Sequence, residues 1–470
     1  MSQPSPTGHC VIACLIVVIL SLFFTSKIRA ARPYIPKHPD PITELWRWTS
    51  FPELEGLGLR CMVEAPDNTL WFGTDEDVWI YNGYEWKSYR VDKELNGNPI
   101  NTICATKNGQ IFIGTERGIS QFDNGTWRFV FPSNNGFLCP TNDLLESHNG
   151  KLWAATAWGL LSFDSHNFTL FTSSEMSRAV KMLAPDLQVQ PVPDGVVTKT
   201  PWQDGAGIRV AEAGATGLPR GQSPVTVWKI APNGPGQKAG LKVGDKLAWI
   251  LESQALYFND ALQGASGSTI ALTSQSQRDT TTKRFTIKRE PISGTFQEFS
   301  IFDIYETQDH ALWIGLESGQ ILRYDPMSTA IDKAWQLYAQ TDVTRFGRLP
   351  TLGQTHDGII WAVSNVSWSE INALKNNQWQ HTSLTKLGGS KSHTSILQTN
   401  DGTLWIGGSS LHVLRQNQWQ VSGYPQIPIS NHRLRLLDVS SHKLWVAGLG
   451  QGIDQFDYTD TQWLSFNGLN

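Results

Sequence analysis

The chain contains 470 residues with 38 basic and 42 acidic side chains, and its formal net charge is −4. Because the two signs nearly balance over so long a chain, the composition offers no basic surface for a polyanion, and no nucleic-acid partner is expected. The 20 tryptophans and 41 glycines indicate large flat side chains packed between glycine-marked turns, which is typical of stacked β-sheets.

An uncharged and mostly apolar run extends from Cys10 to Thr25. Its length suits a signal-peptide core or a short membrane anchor, so residues 1–31 are predicted to form a hydrophobic helix that directs export. Lys27 and Arg29 follow the run and no basic residue precedes it, which for an uncleaved anchor would favour a cytoplasmic domain. We expect an exported protein, either membrane-anchored or located in the periplasm or at the cell surface. The proline-rich residues 32–44 are predicted to form an extended linker.

A hairpin motif that first occurs at Asn68–Thr74 (NTLWFGT) returns six more times. Seven copies of one motif indicate one repeated structural unit. Consecutive copies are roughly 40 to 48 residues apart, except between Trp153 and Trp313, where roughly 119 surplus residues indicate an inserted domain. The aromatic residues at the centres of the copies are Trp71, Phe112, Trp153, Trp313, Trp361, Trp405 and Trp445.

Four short β-strands are predicted in each unit. The first strand is apolar, and a tight turn connects it to the second, Trp-containing strand; this turn is often Asn-Gly or Asp-Gly in a two-residue hairpin. A bend containing glycine precedes the third strand, and a second turn precedes the fourth. Such a unit corresponds to a propeller blade, whose two apolar faces are buried when blades stack around a ring. We predict a mostly β, seven-bladed propeller of four-stranded antiparallel blades, with blades 1–3 in residues 45–176 and blades 4–7 in residues 298–470.

The two ends of the array leave one strand in surplus. Trp46–Leu54 resembles an outermost strand, yet Trp463–Phe466 already completes the last blade. Either the N-terminal segment pairs with the last blade as a clasp, or the array once continued beyond it.

The repeat motif D/N-G-x-L-W-I-G-T followed by G-L/I-x-x-F/Y-D is nearly intact at Asn108–Asp123 and Asn149–Asp164. It resembles the two-component-regulator propeller repeats of extracytoplasmic sensor regions in bacterial signalling proteins. The resemblance implies a sensory propeller. In that family the propeller usually precedes a membrane span and an output domain such as a kinase, and neither follows the array before Asn470.

The inserted segment, residues 177–297 with a core at about 195–290, lacks the tryptophan motif. The strand Val225–Ile230 is followed by a short helix ending in Ala239-Gly240-Leu241 and by a Val243-Gly244-Asp245 turn. This order resembles a PDZ domain of the bacterial protease-associated type, an α+β fold. The other expected parts are a linker at Asp186–Pro193 leading into the domain, a helix at Tyr257–Gly264, and strands at Ser268–Thr273 and Arg284–Lys288.

The PDZ resemblance implies binding of an extended peptide, often a protein C-terminus, along a sheet edge, with loop amides holding the carboxylate. The alternative is that Gly205-Ala206-Gly207 forms an ordinary turn and that the domain only packs against its host. The residues implied to form the peptide-binding groove are Gly205, Ala206, Gly207, Ile208, Val210, Ala261 and Leu262.

Catalytic and metal-binding motifs were sought because this PDZ type often accompanies proteases. Neither a G-x-S-x-G elbow nor an H-E-x-x-H motif occurs, so no catalytic residue and no cofactor is assigned. The histidines, among them His310, His356 and His442, fall near blade turns without a second ligand at short spacing, and no metal is expected.

Three cysteines and three tryptophans invite a functional interpretation. Cys61, Cys104 and Cys139 show no CxxC spacing and are expected to be small buried hydrophobic residues, although a Cys61–Cys104 bridge remained an alternative. Trp79, Trp158 and Trp368 depart from the repeat and either line a pocket or pack in the core.

These observations predict an exported, non-catalytic binding or sensory module with two recognition surfaces. The propeller face would bind a ligand that the sequence does not identify, and the PDZ-like groove would bind protein or peptide C-termini. The alternatives are the sensor component of a split two-component system, and a propeller enzyme, a lyase or hydrolase, with its active site at the channel mouth.

Overall fold

The computed structural model describes residues 47–90, 97, 99–123, 125–132, 139–164, 167–197, 199–201, 208–211, 225–242, 245–248, 267–275, 282–291, 295–297, 299–339, 350–364, 370–383, 393–408, 410–415, 418–421, 434–439, 442–448 and 452–458. The predicted N-terminal helix in residues 1–31 and the linker at 32–44 lie outside these residues. Within them, none of the helices is long and apolar enough to cross a membrane.

The described residues begin with β1 (Trp48–Phe51) and a 3-10 turn, and then form blades 1 to 3 in order. Blade 1 consists of β2 (Cys61–Glu64), β3 (Leu70–Gly73), β4 (Asp77–Tyr81) and β5 (Trp86–Arg90). Blade 2 consists of β6 (Ile100–Ala105), β7 (Ile111–Thr115), β8 (Ile119–Asp123) and β9 (Thr126–Phe131). Blade 3 consists of β10 (Thr141–Glu146), β11 (Leu152–Thr156), β12 (Gly159–Asp164) and β13 (Asn167–Thr172).

The insertion begins with α1 (Ser174–Leu183), whose N-terminus is capped by the Ser173 hydroxyl accepting from the Met176 amide. β14 (Gln188–Pro191) then pairs in parallel with β13, so blade 3 carries a fifth strand. The segment 186–193, expected to be a linker, therefore extends a blade. Its backbone groups pair with the outer edge of the blade, and a polar, proline-containing sequence does not predict such pairing.

The body of the insertion is a five-stranded antiparallel sheet with its own apolar core of Val227, Leu241, Leu247, Leu272, Phe285 and Ile287. The chain enters along β15 (Lys199–Pro201) and leaves along β21 (Thr295–Gln297), which pair with each other. The expected strands are found in the sheet, whereas the expected helix at Tyr257–Gly264 lies outside the described residues. The sheet order is β16 (Ile208–Ala211), β17 (Val225–Ile230), β18 (Lys246–Ala248), β19 (Thr269–Gln275) and β20 (Thr282–Lys288), with α2 (Pro235–Lys238) between β17 and β18.

The remaining four blades follow the insertion. Blade 4 consists of β22 (Ile301–Glu306), β23 (Leu312–Leu316), β24 (Ile321–Tyr324), α3 (Ile331–Ala334) and β25 (Trp335–Ala339). Blade 5 consists of β26 (Pro350–Gln354), β27 (Ile360–Ser364), β28 (Glu370–Lys375) and β29 (Gln378–Ser383). Blade 6 consists of β30 (His393–Gln398), β31 (Leu404–Gly408), β32 (Leu411–Arg415) and β33 (Gln418–Val421), and blade 7 of β34 (Leu434–Val439), β35 (Lys443–Gly448) and β36 (Gly452–Asp457).

The ring closes through the first strand of the chain. β1 pairs antiparallel with β36 and becomes the outermost strand of blade 7, with Trp48 opposite Phe456. The first strands of neighbouring blades contact one another all round, including β34 with β2. The seven-bladed propeller is thereby confirmed, and the surplus N-terminal strand is the clasp; Trp463–Phe466 lies outside the described residues.

The second strand of each blade is mostly apolar, as expected for a strand whose two faces are covered by neighbouring blades. β7, β11, β23 and β31 are buried along their whole length. The glycine that ends the motif allows the next blade to approach closely. A Cβ on Gly114 would lie 2.6 Å from Thr102 Cγ2 and 2.7 Å from Thr141 Cγ2 of blade 3.

The turns between the first and second strands are longer than the two-residue hairpin predicted from Asn-Gly and Asp-Gly. In blade 2 the Thr106 amide donates to the Gln110 carbonyl and the Gly109 amide to the Thr106 carbonyl, each at 2.8 Å, which encloses three residues. Only Gly109 of these has a left-handed φ, +84°. A three-residue loop needs one left-handed residue, whereas a two-residue type I′ turn needs two.

Candidate functional site

The turns between the first and second strands form one face of the propeller, and in blades 3, 5 and 6 a hydroxyl fixes the turn. In blade 6, Trp405 Nε1 donates to Thr399 Oγ1 at 3.0 Å, and this hydroxyl bonds to Asp401 Oδ1 at 2.6 Å. Blade 5 repeats the arrangement with Trp361, Thr355 and Asp357, and blade 3 with Trp153, Ser147 and Asn149. The Asp/Asn-Gly and Trp positions of the motif therefore belong to one hydrogen-bonded unit.

Neighbouring turns are joined by a second repeated contact, which we name the interblade latch. The first turn amide of one blade donates to the side chain that ends the first strand of the next blade. The pairs are Lys107 N to Glu146 Oε2 (2.7 Å), His148 N to Glu306 Oε2 (2.7 Å), Gln308 N to Gln354 Oε1 (2.8 Å) and His356 N to Gln398 Oε1 (2.6 Å).

A cavity of about 490 Å³ opens among these latched turns, between blades 2 and 6. Its lining combines charged and polar groups with apolar side chains from the blade ends. Lys107, Glu146, His148, Glu306, Gln308 and His356 are among the polar residues. Since the turns are held by hydrogen bonds on both sides, the cavity walls are built on rigid elements.

One cluster in this cavity departs from the repeat. His148 Nδ1 lies 2.7 Å and His310 Nδ1 3.9 Å from Glu306 Oε1. The two imidazole rings stack with centroids 3.6 Å apart. Ligand atoms of the three residues all lie within 4.8 Å of one another, which suits them to hold a metal ion. His148 comes from blade 3 and the other two from blade 4.

The backbone at His310 is left-handed, with φ of +63°. Glycine occupies this turn position in blades 2, 3, 5 and 6, while Asn68 and His442 take it in blades 1 and 7. A histidine there is held in a conformation that a side chain disfavours.

A second group of polar residues lines the centre of the ring, one from each first strand. In four of the seven first strands, the pairing register with the second strand shifts just before the residue that belongs to this group. A bulge re-aims the side chain that follows it. The group consists of Cys61, Thr102, Asp143, Asp303, Thr351, Ser395 and Arg435.

The two central aspartates are half-buried and bonded to the next blade. Asp143 Oδ2 accepts from the Ile304 amide at 3.2 Å, and Asp303 Oδ2 accepts from the Leu352 amide at 2.9 Å. Burial raises the pKa of Asp143 to about 6, although the Ile304 amide and Arg435 oppose the shift. Burial and then the nearby Asp143 hold the pKa of Asp303 well above its usual value. These contacts give both acids a structural role between blades.

A family described as Two component regulator propeller matches residues 94–117, which span the first hairpin of blade 2. No curated protein matches the chain. A catalytically inactive virginiamycin B lyase from Staphylococcus aureus with quinupristin is 9% identical; the match covers 87% of this chain and 98% of that one, with a TM-score of 0.47. YCF48 bound to D1 peptide is 10% identical over 91% and 99% of the two chains, with a TM-score of 0.46.

The extracellular domain of a putative hybrid two component system from B. thetaiotaomicron is 15% identical. The match covers 86% of this chain and 65% of that chain, with a TM-score of 0.29.

The residues predicted to form the peptide groove are only partly described. Ile208 and Val210 lie in β16, which ends the sheet order and pairs with β17. Gly205, Ala206, Gly207, Ala261 and Leu262 lie outside the described residues, so the groove stays a prediction.

The other singled-out residues pack in the interior. Trp158 is fully buried in the core between blades 2 and 3, and Trp79 is partly buried against blade 7; Trp368 lies outside the described residues. Cys61, Cys104 and Cys139 are free thiols, and burial raises the pKa of Cys104 and Cys139 to about 12.

Sequence analysis missed the cluster of His148, Glu306 and His310. Its members are up to 162 positions apart (310 − 148) because the insertion separates the two blades in sequence. Superposing the repeats would have shown one signal, since His310 stands where most copies carry glycine.

Proposed function

We propose that the chain is an exported, non-catalytic binding or sensory module whose propeller recognises a small ligand on its turn face. The observation that carries the proposal is the cavity of about 490 Å³ with charged groups converging on it. Its volume is in the range of small-molecule sites, and convergent polar groups on rigid elements provide orientation. Export is proposed from the apolar run Cys10–Thr25.

The test is a thermal-shift screen of small polar ligands with the full chain, followed by calorimetry. Gln308→Trp places an indole at the cavity wall and is expected to abolish binding of a true cavity ligand. Asn400→Trp is the matched control because it occupies the equivalent turn position of blade 6 and does not line the cavity. Equal binding by both variants would contradict the proposal.

The PDZ-like insertion is proposed as a second recognition surface for protein C-termini. Support comes from the motif order and from β16 standing at the end of its sheet, where an added peptide strand can pair. The full chain is expected to bind peptides with a free C-terminal carboxylate at least about tenfold more tightly than their amidated forms. Equal binding of both forms, or of neither, would overturn this role and leave the propeller proposal standing.

The contact between His148 Nδ1 and Glu306 Oε1 favours a second candidate, a propeller lyase or hydrolase. A carboxylate that orients an imidazole is a general acid–base arrangement. Catalysis predicts that ligands of the cavity are converted to products, and that Glu306→Gln binds them but does not convert them. Recovery of every bound ligand unchanged would leave the binding function.

A further inference from the structure

We propose that His148, Glu306 and His310 bind one divalent transition-metal ion of the zinc type, which links blades 3 and 4. The proposal goes beyond ligand recognition by the cavity and does not depend on it. It departs from the sequence-based expectation that the turn histidines hold no metal, because the second and third ligands come from the next blade.

The donor set identifies the class of ion. Two imidazole nitrogens and one carboxylate oxygen suit zinc, cobalt and nickel, whereas calcium and magnesium prefer oxygen ligands throughout. The cavity that these residues line leaves room for water or another ligand as the fourth donor. Three protein ligands and an open position are the usual arrangement at accessible zinc sites.

The geometry is close to that of a filled site. In a tetrahedral site, metal–ligand bonds of about 2.0 to 2.2 Å place the ligand atoms about 3.3 to 3.6 Å from one another. The three residues span 4.8 Å at most, so a small rotation of the histidines completes the site. The histidine side chains are 36% and 51% exposed and have room to turn, while that of Glu306 is 13% exposed.

The carboxylate is already oriented by the interblade latch. Glu306 Oε2 accepts from the His148 amide at 2.7 Å, which directs Oε1 toward both imidazoles. Such outer contacts orient the first ligands of metal sites. In blade 5 the same turn position is His356, but its latch partner is Gln398 and the residue matching His310 is Gly402.

The residue type at the left-handed turn position of blade 4 is a second observation in favour of a site. This position has a positive φ in every blade, and blades 2, 3, 5 and 6 fill it with glycine, so the His310 side chain is an addition that the turn itself does not require. Among the described residues at this turn position, His310 is the one that meets a carboxylate and another histidine. The ion would tie together the two blades between which the insertion interrupts the chain.

The experiment titrates the chelator-treated full chain with Zn²⁺ by calorimetry and with Co²⁺ by visible absorption, with no organic ligand present. We expect one site in the wild type. His310→Gly restores the residue that most blades carry at this position, and Glu306→Gln keeps the shape of the side chain but removes its charge. Each variant should bind Zn²⁺ at least about 100-fold more weakly than the wild type. His356→Asn is the matched control and should bind within about twofold of the wild type.

Folding of each variant is checked by circular dichroism and urea unfolding. Zn²⁺ should raise the Tm of the wild type and of His356→Asn, and leave that of His310→Gly unchanged, because an ion stabilises only a fold that binds it. Wild-type protein without a site, or undiminished binding by folded His310→Gly, would overturn the proposal. Because the readout is the metal itself, failure of ligand recognition leaves this result unaffected.

Discussion

In the turns of blades 3, 5 and 6 a single hydroxyl joins several positions of the repeat motif. Thr399 accepts from the indole of Trp405 and bonds to Asp401, so three motif positions are joined through one oxygen atom. Trp405 is fully buried, and its N–H would otherwise be left unsatisfied at a cost of about 1 to 3 kcal/mol.

We therefore expect Thr399→Val to lower the free energy of unfolding by about 1 to 3 kcal/mol, measured by urea denaturation. The control is Thr126→Val, whose exposed hydroxyl donates to the Asp123 carbonyl and which should change stability by less than about 0.5 kcal/mol. A loss of the same size in both variants would contradict the assigned role.

The half-buried central aspartates predict an unusual pH dependence. Burial raises the pKa of Asp143 to about 6 in the folded state. Between about pH 4 and pH 6 the folded state therefore keeps a proton on Asp143 that the unfolded state has lost. Stability contributed by this group is therefore present at low pH and falls as pH rises from about 4 to about 6, by about 3 kcal/mol at most.

The measurement compares the free energy of unfolding of the wild type and Asp143→Asn between pH 4 and pH 7. The difference, wild type minus variant, should decrease as the pH rises through this window and level off above it. A difference that is flat, or that increases with pH, would show that Asp143 is ionised throughout the folded state.

At the scale of the element, the glycine near the end of the second strand in blades 1, 2, 4 and 6 allows a close approach between blades. Gly114→Ala would push a methyl group against Thr102 and Thr141, and we expect a loss of about 1 to 3 kcal/mol in urea unfolding. Gly195→Ala is the matched control, because no atom lies within 4 Å of its Cβ position and its φ is not left-handed. Unchanged stability of Gly114→Ala would mean that the blades shift apart at little cost.

The strands and the blade number followed from the sequence because the apolar second strand repeats seven times with a central aromatic residue, which is tryptophan in six copies and Phe112 in blade 2. The clasp was one of two predicted outcomes, since Trp46–Leu54 carries strand character but no information on its partner. The added strand Gln188–Pro191 gave no signal, because pairing at an open edge depends on backbone groups. The His148–Glu306 contact also could not be predicted, because it depends on how two blades face each other.

At the scale of the whole molecule, stability depends on the clasp. Trp48 is buried with its ring centroid 4.9 Å from that of Phe456, and Phe51 stacks on Trp445 at 4.9 Å. These contacts join the beginning of the described residues to the last blade and leave the ring without an open end.

Trp48→Ala is expected to lower the free energy of unfolding by about 3 to 5 kcal/mol. It should also speed amide exchange first in β1 and β36, measured by hydrogen–deuterium exchange with mass spectrometry. Tyr84→Ala is the control, because Tyr84 is 92% exposed. Exchange that accelerates equally in all blades would show that the propeller opens as one unit and not at the clasp.

Pairing β1 with β36 also has a consequence for biosynthesis. β1 precedes its partner by roughly 400 residues, so its edge stays uncovered until nearly the whole chain has been made. Six blades can stack before then, but the circle is completed only after the final blade has formed. A protein stalled before that point would expose both a free strand and an uncovered blade, which is the state that chaperones and proteases recognise.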